Sequence, residues 1–352
     1  MLRTFDFRPA LFLSVLSVCL CVPALHAQQQ QTYAPQRYID EGLKLQKEGN
    51  YTQAIENYHM ALKQNPKYDE ANYQTALSYF SLGEYKKSIT YCDRTLKAKS
   101  PYMDEAYLLK GNALYALGRT EEAVQEYIFS LQYNPENYLT HYALASAQYK
   151  LGYLDQAENT VIYALGLKPT NAESHLLLGR IMMDKREGIK SMLALANFLL
   201  LQPRGPKAEK AYADLQALLS GNAQKASEHI LSADLNTGMP ADEFKSAELI
   251  VSLLLAQKTG GRSVNDSESH TFIDHAMTLF GTLNDLQRNK SDFWWNFYVY
   301  FYNDMSDDNQ IETLCYFISQ SKPVEFVQDW LSENHVKVDR LIDWVNAYPR
   351  KY

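Results

Sequence analysis

The sequence predicts an all-α chain: an α-α superhelix of stacked helix pairs, followed by a helical C-terminal region of degenerate pairs. Three observations carry this. One helical passage recurs, as GNYTQAIENYHMALKQNP, GEYKKSITYCDRTLKAKSP, GRTEEAVQEYIFSLQYNP, GYLDQAENTVIYALGLKP and REGIKSMLALANFLLLQP. Leu62, Leu96, Leu131, Leu165 and Leu199 fall at steps of 34, 35, 34 and 34 residues. Small residues keep the same step at Gly42, Ala76, Gly111, Ala145, Gly179 and Ala213, with a second set at Ala54, Ser88, Ala123, Ala157 and Ser191. A fixed period of this length marks a repeat architecture.

The first 27 residues, MLRTFDFRPALFLSVLSVCLCVPALHA, precede the repeats and read as a secretory signal. Arg3 and Arg8 lead an apolar run from Ala10 to Leu25, and small Ala27 stands before QQQQ. The run is shorter than the roughly 20 residues that a bilayer span needs. Cleavage after Ala27 is expected, so the mature chain has no transmembrane segment. Cys19 and Cys21 leave open a rival reading, acylation of a cysteine, although bulky Val18 stands where a lipobox has a small residue. Residues 28–34 form a polar linker.

The array follows as units 35–68, 69–103, 104–137, 138–171 and 172–205, with a degenerate unit over 206–234. Within each unit, two stretches of about 13 residues carry apolar residues three and four apart, which marks amphipathic helices. Gly49, Gly83, Gly118 and Gly152 stand where the first helix ends, and a left-handed cap suits glycine. The small residues let paired helices approach, and Tyr58, Tyr127, Val161 and Leu195 are expected to fill the gaps between neighbouring pairs. Pro66, Pro135, Pro169 and Pro203 close the second helix.

This pattern resembles the tetratricopeptide repeat (TPR), a helix–turn–helix of 34 residues with small residues at its eighth, twentieth and twenty-seventh positions and proline at its thirty-second. Thr95 and Phe198 depart from the small twenty-seventh position, and Arg186 replaces the fifth unit's turn glycine. Phe198 suggests a change of stacking where the second region docks. The resemblance implies a concave surface lined by the first helix of each unit. Its positions fall on Ile39 and Leu43; Tyr73, Leu77 and Phe80; Leu108, Asn112 and Tyr115; Tyr142, Ser146 and Tyr149; and Leu176, Arg180 and Met183. Such an aromatic trough suits a peptide or protein guest, because tyrosine offers wide contact with few rotors to freeze. Only Asn112 and Arg180 suit a carboxylate clamp, so none is expected. The competing reading is that the tyrosines fill the superhelix and that the chain's own C-terminal part covers the trough.

Residues 235–352 read as further helices that continue or cap the array: ADEFKSAELIVSLLLAQK, ESHTFIDHAMTLFGTLNDLQ, SDFWWNFYVYFYND, DDNQIETLCYFISQS, PVEFVQDWLSEN and VKVDRLIDWVNAY, with Pro323 in a first turn. The run FWWNFYVYFY, Phe293–Tyr302, is apolar nearly all round and is expected in the core. Cys92 and Cys315 lie in apolar helical patterns and are expected as buried free thiols.

Chemistry leaves little trace. Glu268, His270, Asp274 and His275 cluster, but His270 and His275 are five apart, where zinc on one helix face wants four. TGGRS lacks the length and lysine of a phosphate loop, and neither HExxH nor GxSxG occurs. No catalytic residue, cofactor or metal site is assigned. A net charge of −7 with interspersed signs argues against a nucleic-acid partner. The expectation is an exported, non-enzymatic scaffold that holds a peptide or protein in the periplasm or at the outer-membrane face, for envelope assembly or secretion. Secretion into the medium and peripheral attachment to the envelope stay open. The alternatives are a glycan-binding component of an envelope uptake system and, behind it, a hydrolase with its site between the two regions.

Overall fold

A computed structural model describes residues 35–232, 243–259, 268–285, 292–322 and 324–350. The expected signal and linker, Cys19, Cys21, Pro323, most of the TGGRSVNDSE loop and the side chains of Glu268 and His270 lie outside the described residues. Every described element is helical, and no strand occurs among the described residues. The chain divides between Pro135 and Glu136 into two compact units.

The described residues of unit 1 form three helix pairs: α1 (35–47) with α2 (Tyr51–Gln64), α3 (Asp69–Ser81) with α4 (Tyr85–Lys97), and α5 (Met103–Ala116) with α6 (Thr120–Tyr133). Unit 2 begins with two more, α7 (Tyr138–Lys150) with α8 (Leu154–Leu167) and α9 (Ala172–Asp184) with α10 (Gly188–Leu201). It continues through α11 (Pro206–Ser232), α12 (Glu243–Thr259) and α13 (Glu268–Asp285). A π-helical turn, Trp294–Val299, then runs into α14 (Tyr300–Asp307), followed by α15 (Ile311–Ser319), α16 (Glu325–Glu333) and α17 (His335–Ala347).

The turn inside each pair has one geometry. Gly49, Gly83, Gly118 and Gly152 all take φ between 75° and 80°, the left-handed region expected of them. At the first, Gly49 N–H donates to the Gln46 carbonyl (3.1 Å) and Asn50 N–H to the Leu45 carbonyl (2.8 Å). This doubly bonded C-terminal cap satisfies carbonyls that the helix leaves open. The fifth pair makes the same two bonds around Arg186, at φ 60°, without glycine. Asn309, at φ 57°, repeats them between α14 and α15, so the C-terminal region reuses the turn. The second helices α2, α6, α8 and α10 each end two residues before Pro66, Pro135, Pro169 and Pro203, as the backbone ahead of proline disfavours helix.

Tyr58, Tyr127 and Leu195, expected between neighbouring pairs, press on the glycine of their own pair, and Tyr58 also shares a buried cluster with Ala71 of the next. A Cβ on Gly42 would lie 2.4 Å from the Tyr58 ring, and one on Gly179 2.8 Å from Leu195. Where the first helix carries alanine, the partner is smaller: Ala76 shares a buried cluster with Cys92, and Ala145 has Val161 at the equivalent position. The Tyr58 hydroxyl donates to Gln46 Oε1 at 2.7 Å, so the ring is buried without an unsatisfied polar atom. Ala213 departs from this seam. It is exposed, and Ala208, Ala211, Tyr212, Leu215 and Leu219 form the buried face of α11, a single helix without an internal turn.

The core of unit 2 centres on α10, buried at every residue from Ser191 to Leu200. Phe198, in place of a small residue, is fully enclosed in one cluster with the C-terminal aromatics, which packs the second region onto this helix. The run Phe293–Tyr302 is core as expected, with Asn296 exposed and Tyr300 half-buried. Cys92 and Cys315 are buried free thiols, and burial pushes Cys92 up to about 12.

Candidate functional site

The candidate wall lies on the first helices of the pairs. In unit 1, Ile39 is buried and Leu43 half-buried in the cluster around Tyr58, so Ile39 belongs to the core. Tyr73, Leu77 and Phe80 lie half-buried along α3, packed on Ala76, Cys92 and Leu109. Tyr73 stacks on Tyr102 with ring centroids 5.1 Å apart and planes 8° from parallel, and Phe80 meets Tyr85 edge-on. Leu108 and Tyr115 are half-buried on α5. Asn112, expected as a polar handle, accepts the Tyr127 hydroxyl at 2.9 Å and is engaged within its own pair.

In unit 2, Tyr142, Tyr149 and Met183 pack against the main core. The Ser146 hydroxyl donates to the Tyr142 carbonyl (2.8 Å), and the Tyr149 hydroxyl donates to Asp184 (2.7 Å). Arg180 is half-exposed and ion-pairs with no carboxylate among the described residues. Leu176 is buried in the unit's core, so this wall position is closed to a ligand. The residue before it is tied to the C-terminal region. His175 Nε2–H donates to the Pro169 carbonyl (2.9 Å), which leaves Nδ1 to accept the Tyr298 hydroxyl (2.7 Å). Burial, with Arg350 nearby, pushes this imidazole down to about 3. The C-terminal region thus covers the start of α9.

Sequence reasoning missed an acidic margin beside Tyr73. Asp69–Glu70 opens α3 and Asp104–Glu105 opens α5. Burial raises the Glu70 carboxyl, helped by Asp40 and Asp69, and burial with Asp104 pushes Glu105 up to about 7. Tyr102 feels both glutamates. The signal was legible as a repeated Asp-Glu-Ala, but acids at helix starts are common because they suit the helix dipole.

Among the described residues, no group of three His, Cys, Asp or Glu could hold a metal ion, and no helix is long and apolar enough to cross a membrane. His275 is buried.

Residues 39–104 match the tetratricopeptide repeat family and residues 111–152 match a second TPR repeat description. Together with the helix pairs, these matches support tetratricopeptide repeats over that span. The chain is similar to the Hsp70-Hsp90 organizing protein of Triticum aestivum, 26% identical over 31% of this chain and 19% of that protein. It is also similar to the Photosystem I assembly protein Ycf3 of Cuscuta gronovii, 26% identical over 34% of this chain and 70% of that protein. The match to the wheat protein thus spans about a fifth of its length. Among solved structures, Pseudomonas aeruginosa pilF aligns over 66% of this chain and 95% of its own, at 19% identity and a TM-score of 0.46. The TPR protein YrrB aligns over 54% and 97%, at 18% identity and a TM-score of 0.45.

Proposed function

We propose that the chain is a non-enzymatic repeat scaffold that holds a peptide or protein partner on the first helices of its pairs, outside the cytoplasm, in envelope assembly or secretion. The observation that carries the reading is the row of partly buried Tyr73, Leu77, Phe80, Leu108 and Tyr115 in unit 1. These are large contact-making side chains that the core of their own unit does not enclose. The repeat matches support a binding scaffold, and the N-terminal signal pattern supports export.

A photo-cross-linking side chain at Leu108, on α5, tests the first part. It is expected to capture a discrete partner in cells, while the same group at exposed Gln125 on α6 captures none. Equal capture at both positions removes the wall from the account. Export is tested by sequencing the N-terminus of protein recovered from the envelope fraction, where Gln28 is expected first. Recovery of the chain only in the cytosol, with Met1 or Leu2 first, overturns that part.

A further inference from the structure

We infer that unit 2 binds a small zwitterion, with the ammonium and carboxylate of an amino acid or dipeptide, in a polar cavity between the start of α11, the end of α15 and α16. Arg204 receives the ligand's carboxylate and Glu209 its ammonium group. No residue of the candidate wall lines this cavity, so the site is separate from the partner-binding surface proposed above.

The cavity has a volume of about 440 Å³, and Arg204, Glu209, Gln320, Ser321, Gln328 and Leu331 line it. Proteins hold small molecules in hollows of about 300–1,000 Å³. Two contacts from distant chain set Arg204 in place. The buried Ser321 hydroxyl donates to the Pro203 carbonyl (2.9 Å), which fixes the backbone beside Arg204. Gln320 is held at both ends of its amide: Nε2 donates to the Phe317 carbonyl (2.8 Å), and Oε1 accepts from Arg204 Nε–H (2.9 Å). A neutral amide thus positions the guanidinium, and no carboxylate pairs with it among the described residues. Its two terminal amino groups form an edge that matches a carboxylate, and among the described residues they make no hydrogen bond.

Glu209, in the first turn of α11, lines the same cavity and enters no ion pair among the described residues. A guanidinium and a carboxylate that share one space without pairing with each other narrow the ligand. A simple anion meets the Glu209 carboxylate and a simple cation meets Arg204, and like charges brought together cost affinity. An apolar ligand strips water from both heads and gives neither a partner. A molecule that carries an ammonium and a carboxylate gives each head a charge-assisted hydrogen bond. The Gln328 amide adds a further donor and acceptor, and Leu331 offers apolar contact to a short side chain.

The test is saturation-transfer NMR on the full chain with L-alanine and L-alanyl-L-alanine as probes. Each is run beside its N-acetyl form, which lacks the ammonium, and its methyl ester, which lacks the carboxylate. At least one probe is expected to bind saturably, and both of its blocked forms at least about tenfold more weakly. This comparison uses the native chain and needs no substitution. Arg204→Gln should then remove the discrimination against the methyl ester, and Glu209→Gln the discrimination against the acetyl form. Both side chains are exposed, so the tryptophan-detected unfolding midpoint should stay at the native value. Absence of saturable binding, equal binding of a probe and either blocked form, or discrimination that survives both substitutions overturns the inference.

Discussion

A Cβ placed on Gly111 would come 2.5 Å from Tyr127 Cε1, because the tyrosine ring fills the space a side chain on α5 would take. The pair is size-matched, and the match predicts a rescue. Gly111→Ala should destabilise the protein by about 1–3 kcal/mol through overpacking. Adding Tyr127→Val, which copies the Ala145 and Val161 combination, should recover part of that loss. Urea unfolding of the four variants checks it: strictly additive losses in the double variant would show that the two sites do not interact.

Arg186 holds the left-handed turn position that glycine holds in the other four pairs. A side chain there costs about 1–2 kcal/mol of backbone energy, offset in part by the extra freedom glycine has when unfolded. Arg186→Gly should therefore stabilise by roughly 0.5–1 kcal/mol. A lower melting temperature would mean that the arginine makes a compensating contact.

Arg186 also shows how much of the fold the residues disclose. The period of 34 located the pairs and their turns, and four glycines announced the left-handed cap. At Arg186 the bond pattern of the turn imposes the same φ on a residue that resists it, so the missing glycine did not mean a missing turn. Phe198 was informative in the opposite way, since an oversized residue at a small position does mark where the C-terminal region packs. The site was less legible. The resemblance put Leu176, Arg180 and Met183 on the candidate wall, but Leu176 lies in the core, and its neighbour His175 meets Tyr298, 123 residues further on, a contact that no local pattern encodes. Asn112 and Tyr149 looked like handles for a guest because their internal partners, Tyr127 and Asp184, sit on other turns of the chain.

The two units should respond to pH in opposite senses. Glu105 in unit 1 is raised from 4.5 to about 7, so the folded form binds its proton more tightly than the unfolded chain does. Its contribution is fully present below about pH 4.5 and is lost as pH rises through 7. Glu105→Gln should flatten that decline and stabilise unit 1 at pH 8, seen as slower amide exchange in α5. His175 in unit 2 is lowered from 6.5 to about 3, so its contribution is present above 6.5 and is lost as pH falls toward 3. All four tryptophans lie in unit 2, at Trp294, Trp295, Trp330 and Trp344, so their fluorescence follows that unit alone. Tryptophan-detected stability that stayed level between pH 6.5 and 4 in the native chain would contradict the buried neutral imidazole.

The C-terminal segment is held by a charge that has no counter-charge among the described residues. Arg350 lies 3.8 Å over the Phe301 ring, donates from Nη2 to Asn197 Oδ1 at 2.5 Å, and its Nη1 is buried without a partner. Asn197 in turn donates to the Tyr302 hydroxyl, which donates to the Leu193 carbonyl. Removing Asn197 leaves a buried guanidinium held only by an aromatic face, whereas removing Arg350 leaves one amide oxygen short of a donor. Asn197→Ala should therefore cost about 2–4 kcal/mol and Arg350→Ala less, about 1–2 kcal/mol. The double variant should be no worse than Asn197→Ala alone, because the stranded charge goes with its side chain. Tryptophan-detected urea unfolding gives all three values, and a double variant that loses the sum of the singles would show that Arg350 and Asn197 stabilise unit 2 independently.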